Sequence, residues 1–343
     1  MVTFIINPKG RVTAMTWLTW RHYRAQAAIA AALLAAFAAV LIVTGLQMAS
    51  QWHSALVTCT ASRTCGNLAQ NLYLGSPAAQ ILITLTIGVP AVLGLLWGAP
   101  LAGQEIETGT VTFVWTQSIT RSRWFTVKAG WLLLAAAAWG GAVTGLVTWW
   151  SGPKNALYGR AFQPGFFDVQ GIVPVGYALF ATALGIAAGT LLRRTLPAIA
   201  IVLGGFVGLR LVFTQFIRQH YMTAVTAYYS PLAGFTPPGS FWMLSQGFVN
   251  KQGRVFTGQS VGAVLGNGVP PCQDPLVRGI GSDPTIHFRA VLSCMQAHGF
   301  RGFTTYQPAS RYWAFQGIET GIFVALAAAL LALTFAVVRR RDA

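Results

Sequence analysis

The sequence predicts an all-α polytopic membrane protein with six transmembrane helices, and three observations carry that expectation. Only 9% of the 343 residues are charged and 54% are hydrophobic, whereas an average soluble domain is roughly 25% charged. Six apolar runs recur along the chain, each about 20 residues long, enough to cross a ~30 Å hydrocarbon core as a helix. The basic residues, which set a net charge of +16 and an isoelectric point near 10.6, are scattered between these runs and form no single patch. A mean hydropathy of +0.56 agrees. This composition excludes an ordinary soluble enzyme, a disordered chain and a nucleic-acid binder. Basic loops beside apolar spans suit anionic lipid headgroups instead.

The expected spans are Ala25–Met48, Gln80–Leu101, Ala129–Trp150, Ile172–Leu192, Leu196–Ile217 and Trp313–Val338. Lipid offers the backbone no hydrogen-bond partners, so a span is a helix or a strand of a closed barrel. Strict alternation is absent, which selects helices. With both termini inside, the inner segments hold twelve basic residues: Lys9, Arg11, Arg21, Arg24, Arg121, Arg123, Lys128, Arg193, Arg194, Arg339, Arg340 and Arg341. The two short outer loops hold three, Arg63, Lys154 and Arg160. That bias fixes the expected orientation, because short cytoplasmic loops collect Lys and Arg. The resulting organisation is an interfacial segment 1–24, five helices over 25–217, an outer cap 218–311, and a sixth helix with a basic tail over 312–343. The first span follows basic residues, as a signal peptide would, but exceeds the usual apolar core of about 7–15 residues. An uncleaved helix is expected.

All four cysteines, Cys59, Cys65, Cys272 and Cys294, fall in segments placed outside, where disulfides persist. Local proximity favours Cys59 with Cys65 and Cys272 with Cys294, although four cysteines allow three connectivities. A metal site from Cys272, Cys294, His287 and His298 fits no zinc spacing well.

Several catalytic readings fail. Gly258-Gln259-Ser260-Val261-Gly262 has the form of a nucleophile elbow, with Asp274 or Asp283 and His287 following in order. The elbow needs a strand, a turn and a helix, and no strand-like alternation precedes Gly258. A P-loop requires Gly-Lys-Ser/Thr, but the four lysines are followed by Gly10, Ala129, Asn155 and Gln252. Any ATP site is therefore expected on a partner, and no cofactor on this chain. No histidine or acidic pair sits inside a span, as proton relays and intramembrane enzymes need.

The stretch between the second and third spans is apolar yet too short and charged to cross. It reads Gln104-Glu105-Ile106-Glu107-Thr108-Gly109-Thr110, an apolar turn to Trp115, then Ile119-Thr120-Arg121-Ser122-Arg123-Trp124, with Lys128 after it. An acidic end and a basic end on one hairpin can pair and fix its shape. The pattern Glu105-x-Glu107-x-Gly109-Thr110 with Arg121-x-Arg123 resembles the first cytoplasmic loop of ABC-2 type exporter permeases. The opening Met15-Thr16-Trp17-Leu18-Thr19-Trp20-Arg21-His22-Tyr23-Arg24 is similar to that of actinobacterial members, which makes Met15 an alternative start to Met1. The resemblance implies a permease subunit in the plasma membrane, working as a homo- or heterodimer with separate ATPase subunits. It further implies that loop 104–124 couples ATPase closure to the pore. An amphipathic small molecule, lipid or peptide is the substrate class the apolar, Trp-rich spans suit. A membrane scaffold or assembly protein and an ion-driven carrier are the rival classes.

Two charges remain inside spans, Arg210 and Glu319. Both are expected roughly 9–11 Å below the outer edge at about 1.5 Å per residue. They form the candidate intramembrane pair, with Asp168 at the mouth of the fourth span as a second partner for Arg210. The Gly-x-x-x-Gly spacings Gly185/Gly189 and Gly204/Gly208 allow close helix approach, within the bundle or between subunits.

Overall fold

The computed structural model describes residues 28–29, 31–47, 49–50, 77–100, 121–152, 162, 164–236, 241–258, 272 and 284–340, with the side chains of 77–80, 121 and 284–288 excepted. The chain divides into two compact units, one of residues 1–156, 165–213 and 314–343 and the other of residues 157–164 and 214–313.

The first unit is helical. Its elements are α1 (Ala31–Gln47), α2 (Pro77–Leu93), α3 (Arg121–Trp150), α4 (Val173–Leu192) and α5 (Thr195–Val212). The helix α7 (Tyr312–Arg340) completes it. Five described helices are long and apolar enough to cross a membrane, and α1 is a shorter apolar helix. Their outward side chains are apolar: Leu196, Leu134, Leu46 and Leu85 are each at least 59% exposed. Such surface is tolerable only against lipid or another chain. The central helix is α4, with 72% of its span buried, against 22–44% for the others.

Glycine lets α4 reach that position. Proline at 90 removes a backbone donor from α2, and the helix then widens into a π turn, Gly94–Gly98. There it crosses α4 with backbones in contact. A Cβ on Gly185 would stand 2.4 Å from the Gly94 carbonyl oxygen, and one on Gly189 would stand 2.3 Å from that of Ala99. Gly185/Gly189 therefore serve packing within the chain. Gly204 and Gly208 meet nothing within 4 Å. Between α4 and α5 the chain reverses in two residues: Arg193 takes a left-handed φ of 53° and donates its N–H to the Gly189 carbonyl at 3.1 Å.

The third helix begins at Arg121, eight residues before the expected Ala129. Trp124 and Phe125 explain the extension, because both are buried, in a cluster with Leu132 and Ile186 against which Phe335 and Val338 pack. The Lys128 ammonium sits 4.7 Å from the Trp124 ring centroid, an arrangement that retains part of the charge's stabilisation on burial.

The second unit corrects the all-α expectation. It holds a four-stranded sheet of order β1-β4-β2-β3, from β1 (Val225–Tyr229), β2 (Phe241–Val249), β3 (Val255–Thr257) and β4 (Arg301–Pro308), all paired antiparallel. The helix α6 (Pro284–Ala297) packs Val291, Leu292 and Met295 with Phe248, Phe300 and Cys272. Three of these strands, β1, β2 and β3, precede Gly258, so strands are present where the sequence shows no strand-like alternation. The sheet is antiparallel, however, whereas an elbow sits at the top of an α/β-hydrolase sheet. Ser260, Asp274 and Asp283 lie outside the described residues, and His287 is described only in its backbone.

Candidate functional site

Four polar groups buried in the first unit gather around Tyr177 of α4. They come from α5 (Arg210), from α7 (Gln316 and Glu319) and from the segment leading into α4 (Asp168). Gln316 and Glu319 are three residues apart and so share one helix face, continued by Phe323, all three fully buried.

Arg210 forms its ion pair with Asp168, Nη2 to Oδ2 at 2.6 Å, both side chains at most 9% exposed. The Tyr177 hydroxyl stands between the two carboxylates, within hydrogen-bond reach of Glu319 Oε1 and 3.3 Å from Asp168 Oδ1. The Arg210 guanidinium lies over the Tyr177 ring, 4.2 Å from its centroid, with the Phe206 ring 5.9 Å away. The expected Arg210–Glu319 pair is thus replaced by Arg210–Asp168, with Glu319 joined through tyrosine. Nε and Nη1 of Arg210 have no hydrogen-bond partner among the described residues. The aromatic faces hold the cation instead. Phe323 packs edge-on to Tyr177, centroids 4.7 Å apart, and Phe180 and Phe213 pack against it in turn.

Gln316 holds the carboxylate-bearing segment in place. The first N–H groups of any helix lack partners, and in lipid water cannot supply them. Gln316 Oε1 accepts from Ile172 and Val173 N–H, both at 2.9 Å, and Nε2 donates to the Phe167 carbonyl at 3.1 Å. From α3, the Thr144 hydroxyl donates to the Val169 and Gly171 carbonyls. Asp168 is therefore delivered into the bundle on a loop tied from two helices.

The fold thus contains the acidic pair that no single span does, because Asp168 folds in from a loop. Arg210 neutralises one member, so this is not the bare carboxylate site a cation carrier would need. The cluster's chemistry is to lock α4, α5, α7 and the 164–172 segment in one arrangement. Sequence reasoning missed Tyr177 and Gln316. The polar i, i+3 spacing of Gln316 and Glu319 on an otherwise apolar helix was the available signal.

Of the expected coupling residues, Glu105, Glu107, Gly109 and Thr110 lie outside the described residues. Arg121 and Arg123 begin α3, with Arg123 exposed. Cys59 and Cys65 also lie outside. In the second unit the sulfurs of Cys272 and Cys294 are joined, and His298 Nδ1 lies 3.5 Å from the Cys294 sulfur and 2.9 Å from the Cys294 carbonyl oxygen. These three groups are close enough for a shared metal, but bonded sulfurs supply no thiolate ligands.

Helices of bilayer length with apolar outer faces around a buried polar lock define a polytopic membrane protein. The family described as ABC-2 membrane transporter related matches residues 31–218, more than half of the 343-residue chain. The chain belongs to that family, whose members are membrane components of ABC transporters associated with an ATPase subunit, and are not themselves catalytic. No curated protein and no solved structure matches it.

Proposed function

We propose that this chain is the pore-forming subunit of an exporter in the plasma membrane, moving an amphipathic small molecule, lipid or peptide. Two such subunits, identical or not, would enclose the path, and ATP would be bound and hydrolysed by separate subunits on the cytoplasmic side. The observation that carries the reading is the family match over residues 31–218, a range that contains loop 104–124, four of the six expected spans in full and most of the first. The distribution of basic residues supports cytoplasmic termini and an outer second unit. Arg121 and Arg123, at the start of α3, would then lie on the ATPase side.

The test is purification from the native membrane under mild detergent, followed by reconstitution in lipid. An ATP-binding subunit should copurify, and its ATPase rate should rise with a transported amphiphile. A chain that purifies without any ATP-binding protein, in every mild detergent tried, would remove the exporter reading and favour a membrane scaffold.

A further inference from the structure

We propose that the second unit binds a phosphate-type anion carried on an apolar body, in the cleft beside the β2–β3 hairpin. This inference rests on that unit alone and stands whether or not the exporter reading holds.

The cleft measures about 780 Å³, within the range of small-molecule sites. Its cationic groups are Lys251 and Arg301, its neutral polar groups Ser230, Asn250 and Gln296, and its apolar walls include Tyr229 and Phe300. Among the described residues no carboxylate pairs with Lys251 or Arg301. The surroundings reinforce this. From 214 to 313 the sequence has seven basic residues and two acidic ones, Asp274 and Asp283. That imbalance raises the local concentration of anions.

The lysine is placed by its neighbours. Asn250 Oδ1 accepts from Arg254 N–H at 2.8 Å, and its Nδ2 donates to Gln252 at 2.6 Å, closing the turn that presents Lys251. Across the ladder from Val249 stands Arg301, and two residues before it Gly299 gives room for the lysine stem. A Cβ on Gly299 would lie 2.1 Å from Lys251 Cε, and its φ is +78°. The C-terminus of α6 ends here, and the negative end of a helix would oppose an anion. Its last carbonyls are occupied, however: Gly299 and Phe300 N–H donate to Gln296 and Met295 at 2.9 Å. An ammonium on a turn held by Asn250, a guanidinium and aromatic walls together suit a phosphate bearing an acyl or aryl group.

The experiment is calorimetric titration of the full chain in a neutral detergent with three probes: inorganic phosphate, dihexanoyl phosphatidylglycerol and dihexanoyl phosphatidylcholine. Saturable binding of the phosphatidylglycerol is expected, weakened about tenfold or more in Lys251→Gln/Arg301→Gln. Lys251→Arg should retain it, and Arg254→Gln, a nearby charge outside the cleft, should leave it unchanged. Inorganic phosphate binding as tightly as the lipid would identify a free anion as the ligand. Lipid binding alone would identify a headgroup with its tail. Binding of neither anion, or equal binding by phosphatidylcholine, would overturn the proposal. So would a double variant that melts normally and binds like the wild type.

Discussion

At the residue scale, the Tyr177 cluster sets its two carboxylates in different contacts. Asp168 is the counter-charge of Arg210 at 2.6 Å, whereas Glu319 touches the tyrosine hydroxyl. Removing one partner of a buried pair leaves the other charge uncompensated, typically at about 3–5 kcal/mol. Asp168→Asn should therefore lower the thermal midpoint of the purified protein markedly. Adding Arg210→Met to Asp168→Asn should recover most of the loss. Strictly additive losses in that cycle would show that the two residues are not coupled. The depth argument from the sequence placed Arg210 and Glu319 at one level, and both do reach Tyr177. The intermediary was not legible, because one tyrosine in an apolar span looks like any aromatic packing residue. Nor was the preference for Asp168 over Glu319, since sequence does not show how far a loop folds inward.

At the element scale, the boundaries of α4, α5 and α7 lie within a few residues of those expected, because runs free of charge mark bilayer-length helices directly. The sheet was not legible for reasons visible in its strands. In β2 an irregularity between Met243 and Ser245 shifts the register, which breaks the alternation that marks a strand. In β4 the consecutive residues Gly302, Phe303 and Thr304 are all buried, so no polar face alternates with them. Two predictions belong to this scale. The α2–α4 crossing leaves no room for a side chain, so Gly185→Val or Gly189→Val should reduce folded yield severely. Gly204→Val and Gly208→Val should leave the monomer's melting unchanged, and yields checked by fluorescence-detected gel filtration would separate the pairs. If the second pair instead shifts the elution to a smaller assembly, that face of α5 belongs to a subunit interface. The second prediction concerns the Cys272–Cys294 link, which ties α6 to a residue 22 positions earlier. Closing a loop of that size stabilises by about 3 kcal/mol in the chain-entropy account. Mass spectrometry without reductant should recover the linked peptide, and Cys272→Ala should raise protease sensitivity in 214–313. Free thiols at both positions in the purified protein would remove the link and make a metal site with His298 the reading to test.

At the scale of the whole molecule, the question is how force applied at one end of the bundle would reach the other. The central helix α4 meets α2 through glycine backbone contacts near its C-terminal half and carries Tyr177 near its start. An element packed without slack at one end and locked by polar groups at the other transmits displacement well, since cores are bistable before they are compliant. The start of α3 is where a partner's motion would enter under the exporter reading. There Trp124 and Phe125 hold the helix in the core, while Arg123 faces outward. Because Arg123 is exposed, Arg123→Ala should cost little in folding, within about 0.5 kcal/mol. Its effect on function then reports coupling alone. Arg123→Ala and Glu105→Ala should both purify at wild-type yield with the ATPase subunit bound, yet show reduced transport per ATP hydrolysed in proteoliposomes. Loss of the ATPase subunit from the variants would instead assign these residues to docking. Wild-type transport and wild-type ATPase in both would place the coupling element somewhere other than loop 104–124.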